Sequence, residues 1–186
     1  MRLNKILKNA LLVISAGIIL TACATKKEVA VEAPKKEETK KEETKKEEEV
    51  TKIEKIAGQM QGDVYVGTDS VKYLADGVAD RVFFATNESI LTTASRETLR
   101  AQAAWLRENS NITVVLEGHA DERGTREYNL ALGERRANAA KDYLMTYGVS
   151  SDRITVISYG KERPVDSGSN PLAWSKNRRS VTVKAN

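Results

Sequence analysis

Charged side chains crowd the middle of the chain between Glu117 and Arg136. Glu117, His119 and Asp121 are spaced by two, so in a continuing strand they would share one face and resemble a metal site. One imidazole and two carboxylates can bind a metal ion, but this is the only histidine, and Cys23 is the only cysteine. A cation would also be repelled by four nearby arginines, Arg123, Arg126, Arg135 and Arg136. The pattern therefore disfavours a metal site.

Asp121 and Glu122 form a second candidate, the paired acid and base of a hydrolase. Adjacent carboxylates are common in loops, and the chain has no Gly-x-Ser-x-Gly nucleophile motif. The surrounding arginines should lower the pKa values of both carboxyl groups, whereas a general acid needs a raised pKa. The sequence therefore predicts that this loop is not an enzyme active site.

The third candidate is a site for a ligand that carries both charges. Asn129, Arg136 and Tyr143 are seven residues apart, two turns each, so on a helix they line one stripe. That stripe looks back over the N-terminal turns toward the loop that carries Asp121. A fixed carboxylate suits an ammonium group, and a planar guanidinium suits a carboxylate. The sequence leaves one alternative open, in which Asp121 and Arg136 pair only with each other.

The elements that must position these residues follow from hydrophobic periodicity. Alternation predicts strands at 81–86, 112–118, 153–159 and 179–184. Apolar residues at three- and four-residue steps predict helices at 93–108, with Leu99, Ala103 and Leu106 inside, and at 128–147, with Gly148 as a stop signal. A loop with Pro164 and Pro171 is predicted between the last two strands. This order, βαβαββ, predicts an α/β (α+β) two-layer sandwich with a mixed sheet.

Three blocks in this region also resemble a known family. They read EGHADERGTREYNLALGERRANAAKDYL, ITVISYGKERP and SKNRRSVTV, and they occur in one order at compatible spacings. They resemble the C-terminal domain of OmpA-like proteins, particularly the peptidoglycan-associated lipoproteins. The resemblance covers about Arg81 to Lys184. It implies a domain, 81–186, that binds the cell wall without catalysis.

The resemblance also implies roles for single residues. In OmpA-like domains, the residues at the positions of Asp121 and Arg136 bind the diaminopimelate side chain of the peptidoglycan stem peptide. Asn129, on the same stripe, and Thr86 and Asn87, where the first predicted strand meets the following loop, complete the predicted peptidoglycan site. Acidic residues are usual in that loop, so Asn87 is a departure from the family. Its effect is mild if backbone amides hold the ligand, and larger if a side-chain carboxylate does.

The N-terminal residues resemble those of a lipoprotein. A basic start precedes the apolar run Ala10 to Leu20, which is shorter than the roughly 20 residues needed to span a bilayer, so residues 1–22 are predicted to be a secretory signal peptide. The following Cys23 lies in a lipobox-like Leu-Thr-Ala-Cys context and is the predicted lipidation site. An ordinary cleavage site or an N-terminal anchor is the alternative. Ala24, rather than aspartate, favours the outer membrane by analogy with lipoproteins.

Residues 23–56 are predicted to be a disordered tether. The motif Lys-Lys-Glu-Glu occurs three times from Lys35 to Glu49 without a large apolar residue, so these residues cannot form a core. Residues 23–55 contain ten Lys and ten Glu, and the net charge of +4 comes mostly from the signal segment. The basic balance is therefore no argument for nucleic acid. Residues 57–80 are ambiguous between a strand and a capped turn, and are predicted to pack as a lead-in on the domain edge.

Together these features predict a lipid-anchored outer-membrane protein that faces the periplasm and binds peptidoglycan, with no cofactor. The resemblance implies membership of the Tol system, in which the propeller protein TolB binds a surface that overlaps the wall-binding face and the outer membrane is drawn inward during division. A general OmpA-like lipoprotein outside that system is the main alternative. A peptidoglycan hydrolase is the more remote one.

Overall fold

The computed structural model describes residues 58–185. The predicted signal peptide, the lipidation site at Cys23 and the tether lie outside these residues. Within them, no helix is long and apolar enough to cross a membrane. The helices are α1 (Thr93–Glu108), α2 (Arg126–Thr146) and α3 (Pro171–Asn177). The strands are β1 (Met60–Gln61), β2 (Val64–Tyr65), β3 (Tyr73–Ala75), β4 (Val78–Ala79), β5 (Arg81–Phe83), β6 (Val114–His119), β7 (Ile154–Gly160) and β8 (Arg179–Lys184).

The main sheet has four strands in the order β5-β8-β6-β7. Strands β6 and β7 are parallel and are connected through α2, whereas β8 runs antiparallel to both β5 and β6. The sheet is therefore mixed, as predicted. The predicted fold class, a two-layer α/β sandwich, is confirmed.

The core lies between the sheet and helices α1 and α2. All three residues predicted for the inner face of α1, Leu99, Ala103 and Leu106, are buried, and from α2 they meet Ala137, Ala140 and Leu144. Fully burying a leucine contributes roughly 1.5–3 kcal/mol, so this layer stabilises the domain strongly. Helix α2 lies so close to β6 that a Cβ on Gly118 would clash with the backbone of Gly133. Glycine at both positions thus sets how closely α2 approaches the sheet.

The last connection differs from the prediction. The residues predicted as a loop before the final strand include helix α3, so the order of the main elements is βαβαβαβ. Pro171 is at the first helical position, and the Asn170 side chain caps the helix by accepting from the Ala173 amide at 3.0 Å. This Asn-Pro start is a helix signal, but seven residues are too few to show periodicity.

The first strand is also shorter than predicted. It ends at Phe83 instead of Thr86: the Phe84 amide still donates to the Arg178 carbonyl at 2.9 Å, and the chain then turns away from β8. Asn87 has a positive φ of 58°, which asparagine tolerates better than most residues. Thr86 and Asn87 therefore lie in a loop.

Residues 58–80 form two small antiparallel hairpins, β1-β2 and β3-β4. Tyr65 in β2 packs edge-to-face on Phe83 of the main sheet, with ring centroids 4.7 Å apart. Asp80 and Arg81 form a bidentate ion pair at 2.7 Å where the second hairpin joins β5. The lead-in thus packs directly against the sheet, through both an aromatic contact and an ion pair.

Candidate functional site

Arg136 on α2 connects two loops. Arg136 is fully buried, with 0% of its surface exposed, and its guanidinium donates to three backbone carbonyls. Nη2 bonds Ala85 at 3.0 Å, Nε bonds Glu88 at 2.9 Å and Nη1 bonds His119 at 2.8 Å. Burial, with the nearby Arg178, lowers the pKa of Arg136 to about 10, so it stays charged at neutral pH. Arg136 therefore holds the loop after β5 against the end of β6.

Asp121 lies two residues beyond β6 and is almost fully buried. Its Oδ1 accepts from the backbone amide and Nε of Arg123, both at 3.1 Å, and its Oδ2 accepts from Arg123 Nη2 at 2.7 Å and Arg178 Nη1 at 3.2 Å. Burial would raise the pKa of Asp121, but these hydrogen bonds outweigh it and hold the pKa below its usual value. The carboxylate is ionised and is held between two arginines.

Asp63, in the turn between β1 and β2, places a second carboxylate at the same site. Its Oδ2 accepts from the Thr86 amide at 2.6 Å and lies 3.9 Å from Arg178 Nη2. Burial acts to raise the pKa of Asp63, but the hydrogen bonds from Thr86 outweigh it and lower the pKa. Arg178 also donates to the Asp63 carbonyl and, at 3.2 Å, to that of Phe84. The loop amide therefore binds a carboxylate supplied by the lead-in.

The loop that carries Asp121 is fixed by several side chains. The buried Asn129 donates from Nδ2 to the Arg123 carbonyl at 2.8 Å. Lys161 donates to the carbonyls of Glu122 and Gly124 at 3.1 and 2.8 Å. Because Asn129 and Lys161 bond carbonyls of the loop backbone, these contacts fix the path of the loop independently of the conformation of its side chains.

Trp174 on α3 forms one wall of the site. Its indole Nε1 donates to Glu122 Oε1 at 2.8 Å, and the Arg123 guanidinium lies 4.4 Å from the ring centroid. The bonds from Trp174 and Ser169 lower the pKa of Glu122. Because the pKa values of Asp121 and Glu122 are both lowered, neither carboxyl group is protonated at neutral pH to serve as a general acid.

The OmpA family profile matches residues 83–178, slightly more than half of the 186-residue chain. The chain belongs to the OmpA family. Within the family it is similar to proteins named peptidoglycan-associated lipoprotein. It is 54% identical over 106 residues to one from Mesorhizobium japonicum, and the aligned residues cover 57% of this chain and 63% of the relative. It is 52% identical over 106 residues to one from Agrobacterium fabrum, and the aligned residues cover 57% of this chain and 60% of that relative.

The OmpA domain also has a solved relative. The crystal structure of the peptidoglycan-associated lipoprotein from Burkholderia pseudomallei is 34% identical, with a TM-score of 0.56, and covers 57% of this chain and 90% of that one. A chain that consists almost entirely of this domain therefore folds on its own. The matched part is less than two thirds of the length of the two curated relatives.

The OmpA domain brings the predicted site residues together. Asp121 and Thr86 are joined through Arg123, whose Nη2 lies 2.7 Å from Asp121 Oδ2 and 3.4 Å from Thr86 Oγ1. Arg136 lies behind them and holds the loop that contains Asn87, which is exposed. The alternative in which Asp121 and Arg136 pair with each other is wrong, because Asp121 pairs with Arg123 and Arg178 and Arg136 bonds carbonyls. Direct ligand contacts by these residues stay a prediction.

The triplet Glu117, His119 and Asp121 is divided, since β6 ends at His119 and Asp121 pairs with Arg123 and Arg178. Among residues 58–185, no group of three or more His, Cys, Asp or Glu side chains is placed to hold a metal ion. The sequence interpretation missed Asp63, Arg178 and Trp174. Arg178 lies in the block SKNRR, which resembles the family, so that block was a signal for it. Asp63 lies in no recognisable motif.

Proposed function

We propose that the OmpA domain binds the diaminopimelate side chain of the peptidoglycan stem peptide. Asp121 receives the ammonium group, and the loop at Thr86 and Asn87 receives the carboxylate together with Arg136. The supporting observation is that Arg136 bonds both the Ala85–Glu88 loop and the His119 carbonyl. These bonds keep the ionised Asp121 carboxylate near the Thr86 amide, which already binds the carboxylate of Asp63.

The ammonium group takes the place of the Arg123 guanidinium. Asp121 accepts four hydrogen bonds, which fill the acceptor sites of a carboxylate, and three of them come from Arg123. The Arg123 side chain is 42% exposed, whereas that of Arg178 is 3% exposed. Arg123 can therefore swing out into solvent while Arg178 stays and keeps Asp121 ionised.

The ligand carboxylate replaces that of Asp63. Asp63 is half exposed, accepts from the Thr86 amide and lies near Arg178, so the position already selects for a carboxylate. A guanidinium carries five N–H groups, and backbone carbonyls engage three nitrogens of Arg136. Opening of the loop at Asn87 would turn the remaining N–H groups toward the ligand.

For the whole protein, we propose a lipid-anchored staple between the outer membrane and the cell wall. The support is the lipobox-like Cys23, the Lys/Glu tether and the similarity to proteins named peptidoglycan-associated lipoprotein. The protein would be anchored through acyl chains on Cys23, face the periplasm and work with TolB during division. Cys23→Ser should abolish labelling by radioactive palmitate and outer-membrane sedimentation. Failure of a TolB pull-down would favour an OmpA-like lipoprotein outside the Tol system.

Calorimetry tests the wall site directly. The soluble chain from residue 24 is titrated with a muropeptide that contains meso-diaminopimelate and with one that contains lysine instead. Each charge-assisted contact contributes roughly 1.5–3 kcal/mol, so Asp121→Asn should weaken binding of the first at least about tenfold. The lysine muropeptide lacks the carboxylate and should bind at least about tenfold more weakly to the unmutated protein.

The matched control is Asp142→Asn, which removes an exposed carboxylate near the other end of α2. It should leave both affinities unchanged. Equal binding of both muropeptides by the unmutated protein, or unchanged affinity in a folded Asp121→Asn variant, would refute the proposed site. Circular dichroism establishes that each variant is folded.

A further inference from the structure

The sheet face opposite α1 and α2 carries a second group of charged side chains. Because side chains alternate along β6, Val114 and Leu116 point into the core while Glu117 and His119 point away from the helices. Hairpin β3-β4 and the residues after β7 border this face, leaving a groove of about 630 Å³. We call it the basic groove. It is lined by five cationic and two acidic side chains, Lys72, Arg81, Arg163, Arg179, Lys184, Asp80 and Glu117.

Two buried side chains that line the basic groove carry polar atoms without hydrogen-bond partners. His119 is 1% exposed, and neither of its ring nitrogens has a hydrogen-bond partner within residues 58–185. Glu117 Oε2 lies 3.6 Å from His119 Nε2, too far for a good hydrogen bond. Arg179 is 6% exposed and its Nε is likewise unpaired within that range, although Nη1 and Nη2 donate to carbonyls. Buried donors without partners are uncommon, and they mark a place where a ligand can supply acceptors.

The charges around these donors select an anion. Asp80 neutralises Arg81 through two bonds of 2.7 Å, which leaves Arg163, Arg179 and two lysines against Glu117. The Arg163 guanidinium carbon lies 3.8 Å from the Tyr159 ring centroid and the residue is exposed, so its N–H groups are open to a ligand. Burial, followed by the charges of Arg179, Arg81 and Arg163, lowers the pKa of His119 to about 3, so the imidazole is a neutral donor.

We propose that the basic groove binds an acidic, extended peptide segment of a partner protein, with a carboxylate held by His119 and Arg179 and a second one by Arg163. The rim explains why a peptide fits better than a small anion. Tyr73 and Val165 line the groove and are 64% and 43% exposed, so apolar side chains beside the carboxylates would cover them. Charge complementarity and this apolar rim together point to a segment that contains both acidic and apolar residues.

His119 is the only histidine of the chain, so its ring signals in an NMR spectrum need no further assignment. The soluble chain from residue 24 is titrated with the capped peptide acetyl-Val-Glu-Val-Glu-Val-amide and with its glutamine counterpart. The glutamate peptide should shift the His119 signals and raise the pKa of this ring, because the bound carboxylate favours the imidazolium. The glutamine peptide should bind at least about tenfold more weakly.

Two arginine variants form a matched pair. Arg163→Gln removes an exposed groove charge and should weaken the glutamate peptide about two- to fivefold. Arg100→Gln removes an exposed charge from α1, on the other side of the sheet, and should leave the affinity unchanged. The indole N–H of Trp174 reports on the Asp121 site and should not move, which separates this proposal from the wall site.

Each of the following results would overturn the proposal. The first is the absence of a His119 shift at about 5 mM peptide, a concentration that fills most of a site with a Kd of about 1 mM. The second is an equal effect of both peptides, and the third is a shift of the Trp174 signal in place of the His119 signal. The fourth is equal affinity of Arg163→Gln and the unmutated chain for the glutamate peptide. If sodium acetate shifts His119 with the same affinity as the peptide, the groove is a pocket for small anions, and the peptide assignment is wrong.

Discussion

Arg136→Lys keeps the positive charge of α2 but removes the planar group that joins two loops. Nε, Nη1 and Nη2 of Arg136 reach three carbonyls on two segments, whereas the lysine ammonium is a single point. If the ammonium keeps one carbonyl, two buried or partly buried carbonyls lose their partners at roughly 1–3 kcal/mol each. We expect the free energy of unfolding to fall by about 3 kcal/mol, and the Tm by about 10–15 °C.

Urea unfolding followed by circular dichroism measures this loss. Arg135→Lys is the control, because Arg135 is the adjacent residue of the same helix but is exposed. It should change the unfolding free energy by less than about 0.5 kcal/mol. If Arg136→Lys behaves like Arg135→Lys, the guanidinium does not hold the loops together.

Three further predictions concern charges around the two sites. Arg123→Gln frees the Asp121 carboxylate and should strengthen binding of the diaminopimelate muropeptide several-fold by calorimetry; weaker binding would mean that Arg123 contacts the ligand itself. Asp63→Asn removes the carboxylate at the Thr86 amide and should also strengthen that binding, but not binding of the lysine muropeptide; an equal gain for both would contradict the assigned carboxylate position. The free energy of unfolding should fall as pH drops from about 6.5 toward 3, because His119 becomes protonated in the unfolded chain but stays neutral when buried in the folded one. His119→Gln should flatten this slope in urea titrations at several pH values.

The sequence predicted the elements well where periodicity and capping agree. Helix α1 runs from Thr93 to Glu108 as expected, because Thr92 caps it and its apolar residues recur every three or four positions. Helix α2 begins two residues earlier than predicted, since Thr125 is its cap. Polar residues in the first turn hid this start from a periodicity argument. Helix α3 was missed because its single Asn-Pro signal is not supported by a repeating apolar pattern.

The candidate site was only partly predictable for a different reason. The spacing of Asn129 and Arg136 predicted correctly that both lie near the Asp121 loop, because helical geometry is local. Asp63 is 115 residues from Arg178 in the chain, and its contact depends on how the lead-in hairpin packs. No local pattern contains such a partner. Bonds from side chains to carbonyls, such as those of Arg136, are also invisible in sequence, because every residue has a carbonyl.

The arginines of this domain show why counting charges gave an incomplete picture of the site. Arg136 donates to carbonyls on two segments, and Arg153 likewise donates to those of Leu106, Asn109 and Ile112. Most of their N–H groups hold loop ends in place, so only the N–H groups of Arg136 that bond no carbonyl are left for a ligand carboxylate. Arg123 differs because its side chain is partly exposed and its partner is a carboxylate that an ammonium can take over. The same sequence block therefore contains a structural arginine and an exchangeable one, and only burial and hydrogen bonding distinguish them.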